Sequence, residues 1–575
     1  MDNGRNVFST MAAAVLLAAL VLFFHGSALH GGWRIDDPFI LLYVVERPAA
    51  MGYFFSPEQW QLLTVPFYTP WLVFEYWLDF ALFGLKPSAF YGHHLVAVWL
   101  VALLTFVLLR RYVVALWAFV AAALFIAGSP VAVISQQLMS RHYVAGLVFA
   151  ILAIMWWLRA REGGSPARLA LATVCYLLAM LNKEIFVPLP LVLLFLGDGT
   201  LKARFRAIVP FLLTAALFVA WRAVMVGKII GGYGGGFNAA GDIPRSLATL
   251  PKMFFGEGWP ALAGSLILLL AAISLLRSSK QTLPPLLAAA VALALPFLAI
   301  HVSTNIIDLR FALLPWWGAC VMLSLGIPRF LTTPITSAEV KSHHVGTRRA
   351  LALLATLAFC GMTLAKSQAT SRSYAAVAAE YEVQGRFLWD HDGTVGYIPF
   401  GDVAPALYPY AICALKRLLS GQGAPIPVPF IESAPLLAGS APIHAYDPDC
   451  RCMKRADAVL TASTQSKGYQ PTMPLDIRLD RSTSGLVWQL TAPAGASCYL
   501  VFAAANASVT IPCSGQIFYE SPPWVRGSFS FFVRTADGLW NFSPSLVFPG
   551  QGQKLSWPPD RLDPTAPVRS RPAAS

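Results

Sequence analysis

Long stretches without charged side chains constrain the fold of this chain more than any other feature. The first runs from Asn6 to Phe24 and is long enough to cross about 30 Å of hydrocarbon as a helix. Charged residues make up only 12% of the 575 residues, whereas soluble domains carry about 25%. We predict a mainly α-helical, polytopic membrane bundle of roughly eleven spans. A cleaved signal peptide is the alternative for the first stretch, and the many later apolar segments favour a first span.

Positive charges indicate which ends of the spans face the cytoplasm. Five clusters fall in alternate loops: Arg110-Arg111, Arg159/Arg161/Arg168, Lys202/Arg204/Arg206, Arg277/Lys280 and Arg329/Lys341/Arg348/Arg349. Placing all five inside puts the N-terminus in the cytoplasm and the C-terminal region outside. The stretch Ala167–Leu196 could be one long tilted span or two short spans broken near Asn182. Two spans are needed here if the later positive clusters are to stay on the cytoplasmic side. Because these loops carry most of the positive charge, the net charge of +13 sets orientation, and we exclude nucleic-acid binding.

The polar region after the last span predicts an extracytoplasmic domain. We divide the chain into a membrane core (1–366), an α/β connecting region (367–470), a β-sandwich-like module (471–550) and a disordered tail (551–575). In the module, apolar and polar residues alternate over Leu486–Leu490, Tyr499–Phe502 and Phe529–Val533, as in strands with one buried face. The tail is rich in proline, arginine and alanine, which favours disorder.

Cysteines in an extracytoplasmic region can form disulfides. Cys498 and Cys513 flank a strand-like run, so we expect a bridge between them. Cys450 or Cys452 could form a second bridge with Cys413, which would leave one thiol over. No histidine cluster accompanies these cysteines, so a zinc site is not expected.

Two predicted outer loops carry local signals. Ser56 followed by Pro57 is typical of a helix start, with Ser56 as the N-cap and Pro57 at the first helical position. The resulting short helix could lie on the membrane surface or be an ordinary loop helix. The loop Gly227–Trp259 contains the glycine run Gly231-Gly232-Tyr233-Gly234-Gly235-Gly236, which we interpret as a mobile flap. It lacks the strand-turn-helix context of a nucleotide-binding loop.

Ionisable side chains at membrane depth are costly and usually functional. Here they fall at the predicted outer ends of several spans: Asp36-Asp37, Glu75/Asp79, His93-His94, Ser140-Arg141-His142, Asn182-Lys183-Glu184 and Asp308-Leu309-Arg310. Separate loops therefore converge on one face of the bundle, which predicts a site at the outer membrane boundary.

Each of these groups also has a purely structural interpretation. Asp36-Asp37 could cap a helix that begins at Pro38, and His94 could be a packing residue. The other structural interpretations are interfacial snorkelling for Arg141 and Arg310 and a self-neutralising pair for Lys183-Glu184. The functional interpretation is favoured, because otherwise every one of the structural interpretations would have to be true at once for residues on the same face of the bundle.

Carboxylates beside several cations suit group transfer from a phosphate-linked donor. A carboxylate can accept the proton of an attacking hydroxyl. Arginine and lysine can hold the leaving phosphate and stabilise its growing charge. A position at the membrane edge suits a donor whose phosphate is attached to a lipid.

A series of short segments lies in a characteristic order between Arg34 and Gly326. They are Trp33-Arg34-Ile35-Asp36-Asp37, Tyr68-Thr69-Pro70, Asp79–Pro87, Tyr91–Val96, Ser129-Pro130-Val131, Ser140-Arg141, Leu181-Asn182-Lys183-Glu184, Leu189-Pro190-Leu191, Arg310-Phe311 and Leu314-Pro315. In content and order the series resembles the membrane core of the GT-C superfamily of glycosyltransferases. The likeness is to the O-mannosyltransferases that carry tetratricopeptide repeats and to their bacterial relatives.

The resemblance implies inverting transfer from a polyprenyl-phosphate sugar, with Asp36 or Asp37 of the first loop as the base. Arg310 would hold the donor phosphate, and Arg141 and Lys183 would assist. The candidate substrate-binding residues are Arg141, Lys183, Glu184, Arg310 and His94. Some relatives use a divalent metal and others do not, so the metal is left open.

The sequence also departs from the family pattern. Threonine stands at position 69 where arginine is usual, Asn182 stands where serine is usual, and no tetratricopeptide repeats follow. The acceptor, whether protein, glycolipid or polysaccharide, is therefore left open.

We predict a multi-pass glycosyltransferase of the bacterial inner membrane. The alternatives are a flippase for a lipid-linked sugar, which would need polar residues near the midplane, and a non-catalytic assembly protein with the sandwich as its working part.

Overall fold

The chain divides into two compact units. The computed structural model describes residues 2–61, 63, 67–196, 200–227, 248–276, 309–332, 341–390, 396–398, 407–420, 443–447, 450–455, 471–482, 485–502, 507–511, 513–517, 528–544, 546–547 and 554–558. The membrane unit comprises Met1–Gly31 and Arg47–Ala375, and the C-terminal unit comprises Gly32–Glu46 and Ala376–Ser575.

Most of the described residues of the membrane unit are helical. In chain order the helices of the described residues, in both units, are α1 (Asp2–His25), α2 (Asp37–Glu46), α3 (Gly52–Phe55), α4 (Pro57–Gln61), α5 (Pro70–Phe83), α6 (Pro87–Leu109), α7 (Ala115–Ala127), α8 (Ser129–Ile134), α9 (Arg141–Gly163), α10 (Pro166–Asn182), α11 (Leu189–Leu196), α12 (Leu201–Val226), α13 (Ala248–Phe255), α14 (Trp259–Leu276), α15 (Leu313–Thr332), α16 (Lys341–Asp390) and α17 (Leu407–Ser420).

Several of these helices could cross a membrane by their length and composition. Six of the described helices are long and apolar enough to cross, or seven if the bent pair α13 and α14 counts as one span. The predicted polytopic helical fold is confirmed. The count of eleven stays a prediction, because residues 277–308 lie outside the described ranges. Asp308, most of the glycine-rich loop (228–247) and residues 559–575 of the tail also lie outside the described ranges, so the predictions for them stay predictions.

The stretch from Ala167 to Leu196 is broken into two short helices. α10 ends at Asn182, and Lys183 has extended backbone angles (φ −155°, ψ 136°). A 3-10 turn over Glu184–Phe186 follows before α11 begins. Pro188 and Pro190 cannot donate backbone hydrogen bonds, which disfavours a continuous helix here. The break places two charged residues, Lys183 and Glu184, between apolar helices.

A glycine between α7 and α8 allows close packing of a tryptophan from α15. Trp316 is fully buried, and its indole Nε1 donates a hydrogen bond to the carbonyl of Phe125 at 3.2 Å. The ring stacks on Phe359 with centroids 6.1 Å apart. A Cβ at Gly128 would overlap the Trp316 indole, so the position has no room for a side chain.

We therefore expect Gly128→Ala to destabilise the membrane unit. The added methyl group must displace a packed indole, a change that costs about 1–3 kcal/mol of unfolding free energy. Thermal unfolding in detergent measures the loss as a lower midpoint. Gly26→Ala is the matched control, because no atom lies within 4 Å of a Cβ built at Gly26. Equal midpoints for the two variants would contradict the packing at Gly128.

The predicted helix start at Ser56 is confirmed. α4 begins at Pro57, and Ser56 Oγ accepts a hydrogen bond from the backbone N–H of Gln59 at 3.2 Å. This bond satisfies one of the donors that a helix leaves open at its N-terminus.

The C-terminal unit contains the predicted β-sandwich. Its strands are β1 (Gly396–Ile398), β2 (Ile443–Asp447), β3 (Cys452–Arg455), β4 (Asp476–Ser482), β5 (Gly485–Thr491), β6 (Ser497–Phe502), β7 (Ala507–Ile511), β8 (Ser514–Ile517), β9 (Ser528–Arg534), β10 (Trp540–Phe542), β11 (Leu546–Val547) and β12 (Lys554–Trp557). One sheet has the order β10-β9-β6-β7 with β11 on β9, a second has β12-β4-β5-β8, and β1-β2-β3 form a small third sheet. Alternate residues, among them Ile477, Trp488, Leu500 and Phe531, form one buried apolar cluster.

The sandwich extends past the boundary expected from the sequence. β12 pairs antiparallel with β4, Leu555 opposite Leu479, although residues from 551 onward were assigned to the tail. The segment Gly32–Glu46 also differs from the linear division, because it belongs to the C-terminal unit rather than to the membrane core. Its helix α2 packs against α17, a partner far away in sequence.

The disulfides of the C-terminal unit agree with one prediction and correct another. Cys498 and Cys513 are bridged as expected. Cys450 pairs with Cys452, so the expected bridge to Cys413 is wrong. The Cys413 thiol packs instead against the apolar cluster of the sandwich, and burial raises the pKa of this thiol to about 11.

Candidate functional site

A lysine at the break between α10 and α11 lies buried among aromatic rings. Lys183 is 4% exposed, and its Nζ lies 4.0 Å from the ring centroid of Phe67 and 5.3 Å from that of Tyr143. Within the described ranges no carboxylate is within 4.0 Å of this ammonium group. Aromatic faces attract a cation but do not neutralise it. The charge of the neighbouring Glu184 acts on this ammonium group, and an anion bound here would add a second counter-charge.

A second cation adds positive charge to the same region. Arg310 lies on the 3-10 turn that leads into α15, and its guanidinium is 5.3 Å from the centroid of Phe311. The charges of Arg310 and Lys183 act on each other, and both act on the buried side chain of His142. Like charges brought together in a low dielectric repel. We call Lys183 and Arg310 the cation cluster, and its positive charge favours a bound anion.

The carboxylate next to Lys183 is committed elsewhere. Glu184 accepts a hydrogen bond from the backbone N–H of Tyr68 at 2.8 Å and forms an ion pair with Arg222 of α12. It acts on Lys183 only at longer range. Glu184 thus anchors the Tyr68-Thr69-Pro70 segment, and its predicted contact with substrate stays a prediction.

Arg141 is held by two carboxylates from one face of α5. Its Nε lies 2.8 Å from Oε2 of Glu75, and one of its terminal nitrogens donates to Oδ2 of Asp79 at 2.7 Å. The three side chains are between 2% and 9% exposed. The guanidinium also lies 5.4 Å from the ring centroid of Tyr76. Among the described residues this cation, unlike Lys183, has carboxylates within 4.0 Å.

Two neighbouring histidines of α6 have different surroundings. His93 Nδ1 lies 2.8 Å from Asp79 Oδ1 and 2.7 Å from a terminal nitrogen of Arg141. His94 is 1% exposed, with Nε2 2.9 Å from the carbonyl oxygen of Ile134. That contact agrees with the packing interpretation of His94, and its role with substrate stays a prediction.

The two predicted catalytic carboxylates lie in the C-terminal unit and differ in exposure. Asp37 opens α2 and is fully buried, and its Oδ2 accepts the backbone N–H of Arg34 at 2.9 Å. This bond holds the turn before α2, and since α2 already includes Asp37, it is not the expected cap of a helix that begins at Pro38. The side chain of Asp36 is partly exposed, while its carbonyl accepts the N–H of Ile40 at 3.0 Å. Of the two, Asp36 is the one whose side chain reaches solvent.

Sequence reasoning missed the residue that holds this turn. Oε1 of Glu382, on α16, accepts hydrogen bonds from the backbone N–H of Gly32 at 3.0 Å and from Nε and a terminal nitrogen of Arg34 at 3.2 and 2.6 Å. Between Arg34 and Asp36, Ile35 has a φ of +51°, a left-handed conformation that is unfavourable for a β-branched residue. A buried Arg34 signals that a carboxylate partner is needed, but no local pattern says which one.

The described ranges contain no group of three His, Cys, Asp or Glu side chains placed to hold a metal ion. The other predicted residues, Arg141, Lys183, Glu184, Arg310 and His94, all lie in the membrane unit.

The chain is similar to the solved structures of two proteins. One is the archaeal oligosaccharyltransferase AglB from Archaeoglobus fulgidus in complex with an inhibitory peptide and a dolichol-phosphate: 13% identity, TM-score 0.43, over 72% of this chain and 64% of that one. The chain thus spans less than two thirds of that protein. The other is ArnT from Cupriavidus metallidurans, at 13% identity and TM-score 0.42 in the apo state and 12% and 0.38 bound to undecaprenyl phosphate, over 77% of this chain and 93% of that one. No protein-family model and no curated protein sequence matches the chain.

Proposed function

We propose that the protein is a membrane glycosyltransferase that moves a sugar from a polyprenyl-phosphate donor to an extracytoplasmic acceptor with inversion at the anomeric carbon. The observation that carries the proposal is the cation cluster, above all the buried Lys183 with aromatic rings as its neighbours. A buried cation without a carboxylate in direct contact among the described residues is costly. A phosphate on a lipid supplies negative charge and can enter between membrane helices.

The steps of the transfer can be assigned to residues. The acceptor's nucleophilic atom attacks the anomeric carbon, and the bond from that carbon to the phosphate oxygen breaks. Asp36 accepts the proton of the nucleophile, because Asp36 is partly exposed whereas Asp37 is fully buried. Lys183 and Arg310 stabilise the negative charge that grows on the leaving polyprenyl phosphate.

The remaining predicted residues support these steps. Arg141 joins α9 to α5 through Glu75 and Asp79, and Glu184 holds the Tyr68 segment beside Arg222. His94 packs in the same bundle. The proposal places the protein in a bacterial inner membrane with the N-terminus in the cytoplasm and the C-terminal unit outside, as the alternating arginine and lysine clusters indicate.

Mass spectrometry of a deletion strain tests the activity and names the product. Extracytoplasmic proteins, glycolipids and polysaccharides are compared in the deletion strain and in strains complemented with the wild-type protein or with Asp36→Asn at equal membrane levels. We expect one sugar residue to disappear on deletion and to return only with the wild-type protein. Identical glycans in the deletion and parent strains would contradict the proposal.

Lys183→Met should separate phosphate binding from stability. Methionine keeps the length and apolar contacts of the side chain but removes its charge. A hydrogen bond to a charged group is worth about 1.5–3 kcal/mol, so the dissociation constant for undecaprenyl phosphate should rise roughly 10- to 150-fold. The thermal midpoint without ligand should stay the same or rise, because the removed charge is buried and has no carboxylate within 4.0 Å among the described residues.

Lys252→Met is the control for this comparison. Its side chain is 54% exposed and lies 3.9 Å from Glu257, so neither binding nor the midpoint should change appreciably. Binding of undecaprenyl phosphate is measured on purified protein in detergent. Wild-type affinity in Lys183→Met would show that this lysine does not hold the phosphate.

A further inference from the structure

The turn that carries Asp36 is fixed from two directions within the C-terminal unit. From inside, Asp37 Oδ2 accepts the N–H of Arg34 at 2.9 Å, and the carbonyl of Arg34 accepts the N–H of Asp37 at 2.9 Å. From the distant helix α16, a single oxygen of Glu382 accepts three hydrogen bonds, one from the N–H of Gly32 and two from the guanidinium of Arg34. The turn is therefore determined by contacts on both sides of its acidic residues.

The geometry points to Glu382 as a positioning residue for the general base Asp36, an inference that rests on the proposed function. The C-terminal unit thereby takes part in the transfer step, in addition to any contact with the acceptor. Its Glu382 contacts Gly32 and Arg34 and so holds the loop on which the base lies.

The strained residue of the turn explains why such an anchor is needed. Ile35 has a φ of +51°, and a non-glycine residue in that region costs about 1–3 kcal/mol unless its surroundings enforce it. Without Glu382 the backbone at Ile35 can relax toward an extended conformation. Because Ile35 directly precedes Asp36, the relaxation would move the carboxylate away from its productive position.

The strength of the anchor follows from its burial. The side chain of Arg34 is 6% exposed and that of Glu382 is 27% exposed, with 2.6 Å between the paired atoms. A largely buried, charge-assisted contact of this kind is stronger and more directional than an exposed ion pair. Gly32 adds a steric limit, because a Cβ there would lie 3.2 Å from Cγ of Glu382.

The test compares three variants of the full chain in the deletion strain: Glu382→Ala, Glu382→Gln and Asp390→Ala. Asp390 is an exposed carboxylate at the end of the same helix, so its variant is the matched control. Displacing a reacting group by about 1 Å can cost roughly 100-fold in rate. We expect a loss of that order in the rate of sugar transfer for Glu382→Ala and wild-type rates for Asp390→Ala. Glutamine keeps an acceptor oxygen and the shape of the side chain, so Glu382→Gln should retain more activity than Glu382→Ala.

The dissociation constant of the purified variants for undecaprenyl phosphate, compared with their transfer rates, distinguishes positioning from general damage. The dissociation constant for undecaprenyl phosphate should stay within about twofold of wild type in Glu382→Ala and Glu382→Gln, because Lys183 and Arg310 are unchanged. If the transfer rate falls only together with phosphate affinity, or if both variants transfer at the wild-type rate, the positioning role is overturned. Asp36→Asn is run in parallel. Full transfer by Asp36→Asn would overturn the assignment of Asp36 as the base. If Asp36→Asn loses transfer while Glu382→Ala transfers fully, only the role of Glu382 is overturned.

Discussion

Asp36→Asn is expected to lower the rate of sugar transfer by about 1,000-fold, within the range that general base catalysis contributes. Asparagine has nearly the shape of aspartate but cannot accept the proton of the attacking group at neutral pH. Because Asp36 is partly exposed, the substitution should leave the fold intact. The rate is measured as the appearance of the glycan product after induction in the deletion strain, at matched amounts of protein in the membrane.

Asp37→Asn is the matched comparison, one residue along the chain. Its carboxylate is fully buried and accepts the N–H of Arg34, a bond that an amide oxygen can still accept, so we expect a small loss of stability, about 1 kcal/mol. Transfer should fall much less than in Asp36→Asn. The opposite ranking of the two variants would assign the base to Asp37, and full transfer by both would exclude a first-loop base.

Features set by local sequence could be predicted. The apolar segments predicted the helices, because length and hydropathy decide whether a helix can cross a membrane. The strands β5, β6 and β9 follow the alternation of apolar and polar residues, since successive side chains of a strand point to opposite faces. The cap at Ser56 and the Cys498–Cys513 bridge also depend on residues close together in sequence.

Features set by distant partners could not be predicted. Glu75, Asp79 and Arg141 were each recognised as charges at the ends of spans, but that they pair depends on how α5 packs beside α9. The pairing of Arg34 with Glu382 joins residues 348 positions apart. The same limit explains the error at Cys413, whose environment is set by the packing of α17 against the sandwich.

The two buried cations of the membrane unit illustrate why partners decide function. Arg141 and Lys183 were both expected to bind the donor phosphate. Arg141 has two carboxylates in contact, whereas Lys183 has aromatic rings. A cation with two carboxylates in contact gains less from a phosphate than one without such a contact. We therefore expect Lys183 to bind the donor phosphate and Arg141 to hold the bundle together.

Arg141→Met is accordingly expected to destabilise the membrane unit by about 3–5 kcal/mol, the cost of removing one partner from a buried ion pair. The substitution leaves Glu75 and Asp79 buried without their cation. Methionine fills most of the volume of the arginine stem, so the loss of charge rather than a cavity should dominate. The expected result is a large drop in the thermal midpoint in detergent and poor accumulation in the membrane.

Neutralising the carboxylates should reverse much of this loss, which makes the triple variant Arg141→Met/Glu75→Gln/Asp79→Asn the decisive control. If the charges are the cause, the triple variant regains most of the midpoint, because no uncompensated ion remains. If Arg141 mainly holds the donor phosphate, Arg141→Met keeps its midpoint and loses affinity for undecaprenyl phosphate, as expected for Lys183→Met. The midpoint and the dissociation constant of these variants thus assign each cation either to the support of the bundle or to the donor.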